Sequence, residues 1–152
     1  MFLNSAKSIT KSDIKNIEKL IGLEFPLKFK EHYLMYNGGF PLNDCFLMVE
    51  DDTYLSINGF YPIKYHYNEI EDWTLEEIYF HLKTKQSLPE NFIPFASDLG
   101  GNKICVNVKS EDIYIVYMDL GNPMEEEGAI RKIADSFQYF IDNLEEEEEE
   151  DV

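Results

Sequence analysis

The chain has 152 residues, 44% of them hydrophobic, with ten Tyr and eleven Phe: enough apolar material for one core, and too little length for a second domain. Thirty acidic residues against 13 basic ones give a net charge of -17, a field that repels phosphate backbones and so argues against nucleic acid and for a cationic protein as partner. No apolar run approaches the ~20 residues that span a bilayer, and Met1 to Thr10 lacks a basic start followed by an apolar stretch, so the expectation is a cytoplasmic protein with no membrane partner.

Thr10 and Asp13 form a capping signal, after which Ile14, Ile17, Leu20 and Ile21 fall on one helical stripe that ends at Gly22. Pro26 suits the start of a second helix carrying Phe29, Tyr33 and Tyr36, which Asn37, Gly38 and Gly39 stop. From Cys45 to His66 the aromatic and β-branched composition, broken at Glu50 to Asp52 and at Asn58-Gly59, predicts two or three strands. A capping box of Thr74 and Glu77 then opens a third helix with Leu75, Ile78, Tyr79 and Leu82 on its apolar face.

Strand signals return at Phe92 to Ala96, continue as Ile104, Val106 and Val108 alternating with Lys103, Cys105 and Asn107, and end in the uninterrupted apolar run Ile113 to Met118. The short link from Lys109 to Asp112 makes the last two a hairpin. Ile130, Ile133, Phe137, Phe140, Ile141 and Leu144 share one arc of a helical wheel, which predicts a closing helix packed on the sheet. The pattern stops at Leu144. The expected division is therefore a domain over 1–144 and an acidic tail over 145–152, where seven of the acids form the run Glu145 to Asp151. The acids outside that run still outnumber the bases, so the body is acidic in its own right.

Little in this sequence assembles into chemistry. A nucleophilic site needs a histidine base, and His32, His66 and His81 all stand outside any recognisable motif; a hydrolase built on His66 or His81 would need a concave pocket where that histidine meets a carboxylate. Metal-ligand spacings are missing, and Asp51 with Asp52 reads as a solvated turn. Cys45 and Cys105 form neither a CxxC pair nor a disulfide pattern and read as reduced, half-buried thiols. Asp98-Leu99-Gly100-Gly101-Asn102 lacks the phosphate-loop pattern and precedes a strand, so its glycines point to a tight turn, with Gly100 or Gly101 at positive φ. The acids on predicted loops are the candidate partner-binding residues: Glu50, Asp51 and Asp52; Glu71 and Asp72; Glu125, Glu126 and Glu127.

Three ordered blocks between Ser12 and Leu144 resemble the SUKH superfamily, which includes fungal cell-wall regulators and bacterial immunity proteins. The first is Phe25-Pro26 with Tyr36-Asn37-Gly38-Gly39, where Phe25 replaces a more usual Leu. The second is Phe92-Ile93-Pro94-Phe95-Ala96 with Asp98, Gly100, Gly101 and Asn102, in which Leu99 takes a place often filled by a small or polar residue. The third is Ile133-Ala134-Asp135-Ser136-Phe137 with Phe140.

The resemblance implies an α+β fold, a mostly antiparallel sheet flanked by two N-terminal helices, one middle helix and one C-terminal helix. It implies no catalytic residues, with the motif residues serving as scaffold; the missing ligand spacings add the expectation of no metal, and no cofactor is expected. It also implies, in bacteria, a gene paired with a secreted toxin, LXG-type systems among them, that carries a nuclease domain. The expected function is an immunity protein (antitoxin) that neutralises a basic nuclease toxin, its acids blocking a surface built to hold phosphates. A regulatory protein–protein interaction scaffold is the alternative.

Overall fold

A computed structural model of the protein describes residues 1–67 and 73–147. The helices begin where the sequence caps them. Helix α1 (Lys11–Ile21) opens on the reciprocal Thr10–Asp13 capping box and closes at Gly22, whose φ of 83° is left-handed. Helix α2 (Leu27–Met35) starts one residue after Pro26, whose φ of -59° presets the entry. Helix α3 (Leu75–Thr84) has the Thr74–Glu77 box intact.

Strands β1 (Phe2–Leu3) and β2 (Phe40–Pro41) form a small ribbon that ties the N-terminus down. The main sheet contains β3 (Cys45–Met48), β4 (Thr53–Phe60), β5 (Phe92–Asp98), β6 (Lys103–Asn107), β7 (Ile113–Val116), β8 (Ile130–Ala134) and β9 (Leu144–Glu145), in the spatial order β8-β7-β6-β5-β4-β3-β9. Every pairing is antiparallel, and β6 and β7 make the expected hairpin.

The sequence-based closing helix over Ile130 to Leu144 is corrected in two places. Ile130 to Ala134 is a strand, pairing Val116 with Ile130 and Ile113 with Ala134, and only Phe137–Asp142 is helical (α4). Spacing alone put the β-branched Ile130 and Ile133 on a helical stripe, but pairing satisfies the row of N–H and C=O groups that β7 would otherwise leave open. Ser136 then starts the helix late: its backbone is extended (φ -157°, ψ 159°) and its hydroxyl accepts the Tyr139 N–H. The domain also reaches past Leu144, because Glu145 pairs with Cys45 in β9. Residues 148–152 of the expected tail lie outside the described residues.

The connection through α4 forces the sheet to curl. Its ends, β8 and β9, would stand about 29 Å apart across seven flat strands at 4.8 Å spacing. A six-residue helix with extended flanks reaches only roughly 22 Å. Irregular register in three strand pairs, at Ile57/Gly59, Pro94/Ala96 and Ile113/Tyr114, supplies the bend. An aromatic core fills the hollow: Phe95 meets Phe29, Phe60, Phe137 and Phe140 at centroid distances of 5.3–5.8 Å. Helix α3 packs on β5, and Cys105 is fully buried instead of half-covered.

Candidate functional site

The family-like motifs build the scaffold. Asn37, 2% exposed, donates its side-chain amide to the carbonyls of Lys7 and Ile63 (both 2.8 Å) and accepts the Ile63 N–H at 2.7 Å, so one side chain pins three chain segments together. Gly38 (φ 71°) and Gly39 (φ 99°) follow because a Cβ on the first would come within 2.9 Å of the Pro62 backbone and on the second within 2.9 Å of the Leu3 carbonyl.

In the β5–β6 turn, Asp98 accepts the N–H groups of Gly100 (2.9 Å) and Asn102 (2.8 Å), and Asn102 in turn accepts the Met118 N–H at 2.9 Å. Gly101 takes the left-handed conformation there, with φ of 84°. The loop is therefore a braced turn, as its glycines predict. Pro94 sits at the register irregularity of β5, and Phe95 and Phe137 lie in the core.

The histidines stay separate from any nucleophile. Among the described residues no Ser, Thr or Cys side chain hydrogen-bonds to a histidine. His66 does meet a carboxylate, Glu77 at 2.5 Å, but both are exposed, and the same Glu77 oxygen accepts the Thr74 N–H as the cap of α3. His32 lies among Phe2, Phe60 and Phe137, where burial pulls its imidazole down to about 4 and leaves Nε2 without a hydrogen-bond partner among the described residues. His81 packs edge-on against Trp73. No group of three or more His, Cys, Asp or Glu among the described residues is placed to hold a metal ion, and no helix of the structure is long and apolar enough to cross a membrane.

Two of the three candidate acid clusters share one end of the sheet. Antiparallel order puts the β3–β4 turn (49–52), the β5–β6 turn (99–102) and the β7–β8 loop (117–129) on the same end; Ile57 paired with Asp98 fixes the first two, and the Leu99 N–H donates to the Ser56 carbonyl. Glu50, Asp51 and Asp52 thus share an end with Glu125, Glu126 and Glu127. Glu71 and Asp72 lie outside the described residues.

The acids of the first turn are not equivalent. Arg131 on β8 makes a two-pronged ion pair with Asp51, and Glu50 comes to 3.8 Å of the same guanidinium. This pair latches end strand β8 to the β3–β4 turn across a groove of about 330 Å³, and the adjacent guanidinium holds the Asp51 carboxyl below its usual range. Asp52, at the turn's left-handed position (φ 52°), is exposed, as are Glu125, Glu126 and Glu127. Val49, Leu99, Leu120 and Met124 stand at least half exposed on the same three loops.

Sequence reasoning missed Arg131, because reading its segment as a helix turned it to the outer face. It also missed the exposed apolar residues, since exposure has no sequence signature when apolar residues occur singly.

A curled antiparallel sheet, helices capped and stopped by the motif residues, and loops gathered at one end define the class: a small single-domain α+β scaffold whose signature residues serve turns and packing. The chain belongs to the SMI1 / KNR4 family (SUKH-1), whose family model matches residues 8–143. It is also 25% identical to the SPbeta prophage-derived uncharacterized protein YokK of Bacillus subtilis (strain 168), over 89% of this chain and 74% of that protein. The SUKH family includes immunity proteins.

Proposed function

We propose that the protein is a cytoplasmic immunity protein that binds and neutralises a cognate secreted toxin carrying a basic nuclease domain, without turnover of its own. The observation that carries this is the loop end, where exposed carboxylates of two loops stand with four exposed apolar side chains on a chain of net charge -17. Carboxylates steer a cationic partner and oppose its phosphate-binding surface, and apolar residues among them supply the desolvated contacts that slow dissociation. Asp52 and the three glutamates of the β7–β8 loop are free to meet the partner, while Asp51 holds Arg131 and shapes the end.

The experiment is co-production with a candidate cognate toxin carrying a nuclease domain. Growth arrest by the toxin alone, relieved by the chain and accompanied by loss of nucleic-acid cleavage in a purified mixture, is the expected result. Arrest that persists while both proteins are soluble would refute the proposal.

A further inference from the structure

A second cavity, of about 680 Å³, lies between helix α3, the β5–β6 turn and the β7–β8 loop. Its size is that of a small-molecule site. Its chemistry runs against the rest of the molecule: in a chain with 30 acids and 13 bases, the titratable side chains lining it among the described residues are Tyr61, His81, Lys85 and Lys103, with no carboxylate.

Neither lysine makes a salt bridge to a described residue. Lys103 is held in place instead by Tyr61, donating to its hydroxyl at 2.7 Å and lying 5.4 Å from its ring centroid, a neutral partner that supplies no counter-charge. Lys85 caps the C-terminal end of α3, which accounts for a cation there but not for the second one across the cavity on β6. The remaining wall mixes apolar Trp73, Ile78 and Met118 with the polar Ser87 and Asn122.

We propose that this cavity is a binding site for a small organic anion with a planar ring, of the nucleoside monophosphate class. The ring would lie against Trp73 and Met118, and the anionic group would be met by Lys85 and Lys103. Charge selects the group: a protein-wide negative field keeps free anions away, so two lysines outside any salt bridge to a described residue and lining one cavity make it the favoured place for one. The inference does not rest on the proposed toxin binding, although the cavity shares the β5–β6 turn and the β7–β8 loop with that surface.

Trp73 is the chain's single tryptophan and lines the cavity, so its fluorescence reports occupancy directly. The full chain is titrated with adenosine monophosphate, adenosine and inorganic phosphate, with correction for absorbance by the purine. The expected result is a saturable change with the monophosphate, weaker by about tenfold for adenosine and for phosphate, and weakened by about tenfold in Lys85→Met and in Lys103→Met. Lys85→Met leaves the Lys103–Tyr61 bond untouched, so it keeps the test open if Lys103→Met disturbs the fold. No saturable change up to millimolar monophosphate, or binding that both lysine variants leave unaltered, would overturn the proposal.

Discussion

Replacing Asn37 by Ala removes three hydrogen bonds, but the loss is unevenly spread. The Ile63 carbonyl keeps a second donor, the Tyr65 N–H at 2.7 Å, and the Lys7 carbonyl belongs to an exposed residue that water can reach. The Ile63 N–H, on a residue 0% exposed, is left without a partner. An orphaned buried donor costs about 1–3 kcal/mol and each of the other lost bonds about 0.5–1, so Asn37→Ala should lose about 3 kcal/mol. That is a large part of the ~5–15 kcal/mol expected of a whole domain. Urea unfolding followed by far-UV circular dichroism measures it as a lowered midpoint with an unchanged slope. A loss below about 1 kcal/mol would refute the view that this side chain, and not the glycines after it, makes the motif a structural junction.

Further outcomes follow from the same reasoning. His32 is held neutral at a value of about 4 in the fold and returns toward 6.5 on unfolding, so the unfolded chain binds a proton that the folded chain does not. Stability should therefore fall as pH drops from about 6.5 to about 4, by up to about 3 kcal/mol, and His32→Phe should flatten that part of the stability–pH curve; identical curves would contradict the assignment. Gly101→Ala meets open space and should cost only the left-handed strain of about 1 kcal/mol, whereas Gly38→Ala also strikes the Pro62 backbone and should cost clearly more in the same urea assay. A chain ending at Glu147 keeps β9 and should still neutralise the toxin. At a Debye length of about 8 Å the missing carboxylates should slow association at low salt and leave dissociation unchanged, which stopped-flow kinetics across a salt series can check.

Elements with local causes were legible in the sequence. The capping boxes at Thr10 and Thr74, the stop at Gly22 and the left-handed Gly101 each need only their neighbours to be recognised. What depended on distant partners was not. Ile130 to Ala134 satisfies a helical wheel and a strand ladder alike, and the open edge of β7, more than a dozen residues earlier, decides between them. Arg131 fell with that reading, although its pairing with Asp51 joins residues 80 apart in sequence. The acid clusters were visible as composition; that Glu50 to Asp52 and Glu125 to Glu127 share one end of the sheet follows only from strand order.

The most direct test of the loop end as the toxin-binding surface is an affinity measurement with matched charge reversals. Asp52→Lys with Glu125→Lys changes that end; Glu90→Lys with Glu111→Lys changes the opposite end by the same charge, and Glu111, like Asp52, is exposed at a positive φ. Isothermal titration against the cognate toxin should show the first pair weakening binding by about a hundredfold and the second changing it less than about threefold. Equal losses from both pairs would reduce the effect to overall charge, and a loss confined to the second pair would place the interface at the other end of the molecule.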